Sequence, residues 1–190
     1  MRALYFLPAL LLAACTTSTP NPEYAENLKS AKAICQAHCD GDYETWKSYF
    51  AEDAVIHAAE HGSATLGVDE AAEFYSGFHA ISEDITYTGI FLPGVDTLQM
   101  QPDGSVRAYI QWDSKFKPTG EPFPGVLKAY HYWNFEGGKV HQAGTFYDAG
   151  GFSNLIASMM PADTPDPAAA LADLFHLGMS KRKSRSVRAG

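Results

Sequence analysis

The chain has 190 residues, 14 basic and 22 acidic side chains, a formal net charge of −8 and 46% hydrophobic residues, enough apolar content for one packed domain. Six of the bases (Arg2, Lys181, Arg182, Lys183, Arg185 and Arg188) lie at the two ends, leaving 8 bases against 22 acids, about −14, in the body. A body this acidic argues against nucleic acid as a partner of the folded part. No P-loop, G-x-G-x-x-G or G-x-S-x-G pattern occurs, so nothing points to nucleotide, dinucleotide or serine-hydrolase chemistry. No cofactor is expected.

Residues 1–14 read as a cleaved leader. Arg2 gives a positive start, and residues 3–14 are an uncharged run, long enough for a signal h-region and too short to span a membrane. The run closes on "LLAAC", which resembles a bacterial lipobox and implies lipidation at Cys15. Thr16 follows, so no aspartate is present there to imply retention at the inner membrane, and the expected location is the cell envelope, lipid-anchored and facing the periplasm, with the outer membrane favoured. Residues 15–23 form a tether of turn-forming residues. In an oxidising compartment Cys35 and Cys39 could form a strained disulfide within a helix, remain two buried small residues, or, as a third choice, bind a metal with His38.

Residues 23–38 have helical spacing, with Leu28, Ala31, Ile34, Cys35 and His38 along one side. "CDGD" breaks that helix, and Asp42 is placed to cap a second one bearing Trp46, Tyr49 and Phe50. "AVIHA" alternates as a strand, and "VDEAAEFYSGFHAI" reads as one helix that turns Tyr75 and Phe78 inward. From Ile85 the period becomes two, through "ITYTGIFL", "VRAYIQWDSKF", "VLKAYHYWNF" and "VHQAGTFYD", separated by Gly-containing turns of antiparallel hairpins. "GGFSNLIASMM" begins a further helix. Residues 161–180 follow as a linker and short apolar helix, and residues 181–190 as a basic disordered tail.

Helices first and long strands afterwards is an α+β order. "DGDYETWKSYFAEDAVIHAAEHGSATLGVDEAAEFY" resembles the start of the nuclear transport factor 2-like superfamily, in its SnoaL-like and ketosteroid-isomerase-like branch. "YWNFEGGKVHQAGTFYD" resembles its closing hairpin. The resemblance implies a cone-shaped domain over residues 24–160, with a strongly bent antiparallel sheet wrapped around N-terminal helices and a pocket at the open end. It further implies that the exposed sheet could pair into a homodimer or serve as an interaction module.

The same resemblance bears on chemistry. The isomerase base matches Ala58, which takes no proton; its oxyanion tyrosine falls at about Ile34, and the second oxyanion acid near His131. SnoaL-like cyclases carry an aspartate where Asp148 stands, and apolar neighbours could make such a carboxyl a proton acceptor. Asp148 could equally cap the helix that follows. His57, Glu60 and His61 match H-x-x-E-H, but two histidines on a strand stand about 13 Å apart at i and i+4, which suits no metal. His57 is instead expected to face the pocket with His131, both available as acid/base groups near neutral pH. Trp46, Phe50, Tyr75, Phe78, Trp112, Trp133 and Phe146 would form the pocket wall. The leading expectation is binding of a small, mainly apolar molecule. The alternative is a proton-transferring cyclase, isomerase or dehydratase using Asp148 with His131 or His57.

Lipidation at Cys15 makes a direct prediction. Mass spectrometry of the membrane fraction should find a mature N-terminus at Cys15 carrying acyl groups; a soluble mature protein with an unmodified Cys15 would refute it.

Overall fold

A computed structural model describes residues 21–161. The leader, most of the tether, the basic tail and nearly all of the linker and C-terminal helix expected from the sequence lie outside the described residues. The elements are α1 (Tyr24–Asp40), α2 (Tyr43–Ser48), β1 (Phe50–His57), α3 (Val68–Ser76), α4 (Phe78–Ile81), β2 (Ser82–Val95), β3 (Pro102–Phe116), β4 (Glu121–Pro122), β5 (Leu127–Glu136), β6 (Lys139–Tyr147) and α5 (Ala149–Met159). The strands make one curled, unclosed sheet in the order β1-β6-β5-β3-β2, with the short β4 paired to β3. It is an α+β cone.

Local chemistry sets the breaks. Gly41 closes α1 in the left-handed region (φ 69°), which glycine adopts without steric penalty. Asp42 then caps α2, its carboxylate accepting the Thr45 N–H at 3.0 Å. The helix expected over residues 68–81 is two helices, because the chain turns at Gly77 to direct Phe78 and Ile81 differently from Ala71 and Tyr75. β1 pairs in parallel with β6 and also bridges Leu66 antiparallel through Ile56, closing the local turn that contains Glu60 and His61. No run of adjacent residues encodes the parallel pairing.

The concave face of β3 is Val106, Ala108 and Ile110, all buried, and α1 packs Ala31, Ile34 and Cys35 over it. A second cluster of Ile81, Phe116, Phe123 and Ile156 joins α5 to the far end of the sheet. Between the two clusters the helices do not cover the sheet, and the cone stays open there. Cys35 and Cys39 are free thiols, not a disulfide.

On the convex face Tyr132 of β5 lies across Gly144 of β6, its register partner. A Cβ at Gly144 would stand 2.8 Å from the tyrosine ring Cζ, inside any allowed contact. Gly144→Ala should therefore destabilise the domain by about 1–3 kcal/mol, the usual range for overpacking. A urea midpoint unchanged from wild type would contradict this packing.

Candidate functional site

The open end holds a cavity of about 360 Å³, at the lower end of ordinary small-molecule pockets. α1 contributes Ile34, Cys35 and His38; α2, β1 and the α3–α4 bend contribute Trp46, Phe50, Ile56, Tyr75 and Phe78. The sheet adds Trp112, Ala129, His131, Trp133, Thr145 and Tyr147. The mouth is formed by Ser82, the loop from Phe123 to Leu127, Asp148 and the α5 residues Phe152 and Leu155.

Six of the seven aromatic residues expected in the wall are there: Trp46, Phe50, Tyr75, Phe78, Trp112 and Trp133. The seventh, Phe146, lies on the opposite face, 52% exposed and stacked on Tyr132. β6 turns Ala143, Thr145 and Tyr147 inward, because His131 pairs with Thr145 across the ladder. His57 is likewise on the other side. Ala54 and Ile56 take the buried positions of β1, so alternation sends His57 outward, where its Nε2 accepts from the Gln142 side chain at 3.3 Å. Glu60 leaves that neighbourhood: its carboxylate accepts the Tyr147 hydroxyl at 3.1 Å. Among the described residues, no three His, Cys, Asp or Glu side chains gather as a metal-binding set.

His131 lies in the wall with both ring nitrogens engaged. The Trp112 indole N–H, which can only donate, reaches His131 Nε2 at 3.1 Å. A neutral ring must then carry its proton on Nδ1, which donates to Thr145 Oγ1 at 3.0 Å. The Thr145 and Tyr75 hydroxyls are 3.2 Å apart and continue the chain. Burial drives the imidazole pKa down to about 3, so the ring is neutral across the physiological range. In this arrangement His131 offers no free lone pair to an incoming proton.

His38, on the facing helix, differs. Its Nδ1 shares a hydrogen bond of 2.8 Å with the Tyr43 hydroxyl, and its backbone carbonyl accepts from His79 Nε2 at 2.7 Å. Among the described residues nothing hydrogen-bonds His38 Nε2, and His38 lines the cavity. Burial, then the neighbouring His79 and His131, lower its pKa to about 3. Neutral His38 therefore brings to the cavity wall one ring nitrogen without a hydrogen-bond partner among the described residues. From the sequence His38 belongs to the core side of α1, or to a metal set with Cys35 and Cys39 that does not form among the described residues; its position in the last turn, one residue pair before a helix break, was the available signal.

The remaining polar residues of the lining are Ser82, Ser114, Tyr75, Thr145 and Tyr147 with their hydroxyls, Lys128 and Asp148. Burial raises the Tyr75 pKa to about 12, and burial with the Glu60 carboxylate raises that of Tyr147. Burial also raises the Cys35 thiol, which leaves it protonated and unreactive. Asp148 caps α5 by accepting the Gly151 N–H at 2.8 Å and is exposed at the mouth. Of the two roles expected of it, the helix cap is the one observed.

Solved structures with this architecture come from several organisms. A protein described as a SnoaL-like polyketide cyclase from Jannaschia sp. superposes with TM-score 0.58 at 12% identity, over 75% of this chain and 99% of that one. A nuclear transport factor 2-like protein of unknown function from Burkholderia pseudomallei gives 0.55 at 17% identity, over 69% and 97%. A protein with a ketosteroid isomerase-like fold from Catenulispora acidiphila, in complex with trimethylamine, gives 0.52 at 18%, over 71% and 95%. The chain has the NTF2-like cone fold. At these identities the likeness concerns the fold alone. No protein-family model and no curated protein matches the sequence.

The neutral state of His131 has a consequence for stability. Its folded pKa lies below the unfolded value of about 6.5, so between those values the unfolded chain binds a proton that the folded one does not. Through His131, stability is full above pH 6.5 and declines as pH falls toward 3, by about 2 kcal/mol at pH 5, and His38, lowered in the same way, adds a similar decline. Urea unfolding at pH 7 and pH 5 should show this decline, reduced in His131→Leu. Imidazole nitrogen shifts should show the Nδ1–H tautomer still neutral at pH 5; a protonated ring there would overturn the assignment.

Proposed function

We propose that the protein is a cell-envelope lipoprotein whose cone binds a small, mainly apolar molecule bearing one polar atom, without turning it over. The observation that carries this reading is the contrast between the two cavity histidines. His131 is saturated by Trp112 and Thr145, while His38, also in the lining, has one ring nitrogen without a partner among the described residues. Aromatic walls supply the apolar contact, and a single open hydrogen-bonding group supplies orientation. Neither ionised imidazole nor thiolate is present inside, which disfavours a charged headgroup at the deep end. The ligand class is therefore neutral: a ring or short chain carrying a carbonyl or hydroxyl. Attachment through Cys15 would hold the domain at the membrane, on the periplasmic side. No helix among the described residues is long and apolar enough to cross a membrane.

An enzymatic reading keeps one observation in its favour, the place of Asp148 at the mouth beside Tyr147 and the Glu60 carboxylate. It would be proton transfer by Asp148 without His57, which lies on the far face, and without His131 as base. A homodimer through the convex face is supported by exposed Tyr109 and Phe146.

Three tryptophans line the cavity, so ligand entry should change intrinsic fluorescence. A thermal-shift screen of neutral aromatic and alicyclic carbonyl compounds and alcohols should find binders, and a hundredfold excess over Kd raises stability by about 2.7 kcal/mol. His38→Leu should weaken compounds bearing the polar atom about tenfold, the equivalent of about 1.4 kcal/mol, and leave their hydrocarbon analogues unchanged. Equal loss of both, or of neither, would remove His38 as the anchor. Turnover of any bound compound by wild type that Asp148→Asn abolishes would replace binding with catalysis.

A further inference from the structure

The β2–β3 hairpin ends in an unusual turn. Residues 90–102 contain one charged side chain, Asp96, in a strongly acidic protein. Its carboxylate is folded into the turn, accepting the Leu98 N–H at 2.9 Å and the Gln99 N–H at 2.7 Å. Backbone bonds from Met100 N–H to the Asp96 carbonyl and from Asp96 N–H to the Gln101 carbonyl, each 2.8 Å, close the loop. The turn so built projects Leu98 at 91% exposure and Met100 at 69%, with Leu92 and Val95 also exposed along the same hairpin. Large apolar side chains at an uncharged tip mark an interaction surface.

The base of this hairpin is where the chain enters the fold. Asn27 Nδ2 donates to the Gly104 carbonyl at 2.9 Å, and the Asn21 side chain lies over Gly104. Asn21 is only six positions beyond Cys15, and six residues span at most about 20 Å. A bilayer holding Cys15 is thereby kept close to the tip. The cavity mouth lies at the other end of the same strands, since Ser82 pairs with Phe116 whereas Val95 pairs with Pro102.

We propose that Leu98 and Met100 form a second membrane contact, seated at the lipid headgroup boundary, which turns the cavity mouth away from the bilayer. The occupant is lipid rather than protein because the tip offers large apolar side chains, its one charge is folded into the turn, and it stands beside the tether. Two side chains would bind a membrane only weakly from solution; the tether supplies the effective concentration that makes the contact persist. Repulsion between an anionic leaflet and the acidic body favours the same tip-first orientation. The proposal rests on lipidation of Cys15 and is independent of the cavity ligand.

The test uses native methionines. The full-length chain, processed with its own leader, would carry methyl-labelled methionine in nanodiscs of phosphatidylethanolamine and phosphatidylglycerol with a nitroxide-headgroup lipid. The Met100 methyl signal should weaken severalfold relative to a diamagnetic disc, while those of Met159 and Met160 on α5 should not. Leu98→Glu, exposed and neutral for folding, should restore Met100. Mass spectrometry of the same sample separates the outcomes. With Cys15 acylated, an unbroadened Met100, or equal broadening of all three signals, overturns the membrane contact alone. With Cys15 unmodified, the lipoprotein reading and this contact both fall.

Discussion

The hydrogen-bonded chain from Trp112 through His131 and Thr145 to Tyr75 is the constraint on which the cavity depends. It crosses β3, β5 and β6 and ends on α3, so it ties the sheet to the helical layer at the depth where no apolar core fills the space. A hollow lined by unpaired polar groups would fill with water or collapse, because buried donors and acceptors without partners are costly. Here the interior polarity is satisfied laterally, within the wall. Apart from His38 Nε2, the wall can then remain open without exposing unmet hydrogen bonds to a ligand's apolar surface. The same arrangement removes His131 from acid/base chemistry: the group best placed in the cavity is committed to holding it open.

Much of this architecture was legible in the sequence, and the reasons are local. Gly41-Asp42 fixed the first break because one residue tolerates the left-handed backbone and the next supplies a capping oxygen. Alternation in β5 placed Ala129, His131 and Trp133 on the cavity side. The long strands and the α+β order followed from the change of period. Six of the seven wall aromatics were found because helical and strand spacing carried them.

The errors have a common physical origin. A strand shifted by one residue exchanges its faces completely, and in β1 and β6 both faces carry plausible pocket residues. Phe146 is larger and more apolar than Thr145, so hydrophobicity alone favoured the wrong side. The ladder to β5 decided otherwise, and the small Thr145 leaves the room that Phe146 would have filled. In β1, Ile56 and Ala54 claimed the interior against Val55 and His57. The parallel joining of β1 to β6 was invisible for a different reason. It links residues about ninety apart, and no local signal expresses it.

His38 shows how such a non-local site is built from helix-end chemistry. The last turn of a helix leaves carbonyls without intrahelical donors, and His79 satisfies that of His38 while its ring lies against Gly41. Beyond the break, Tyr43 returns to take Nδ1. A residue larger than glycine at position 41 would press on the His79 ring and would also be strained in the left-handed region. The break therefore does more than end α1: it seats the two groups that fix the imidazole. Because its backbone and one ring nitrogen are held before any ligand arrives, the remaining nitrogen presents a fixed direction. Little conformational entropy is then lost on binding. A ligand selected by this site must match that direction while filling an aromatic space of limited volume, so shape and one hydrogen bond together set its specificity.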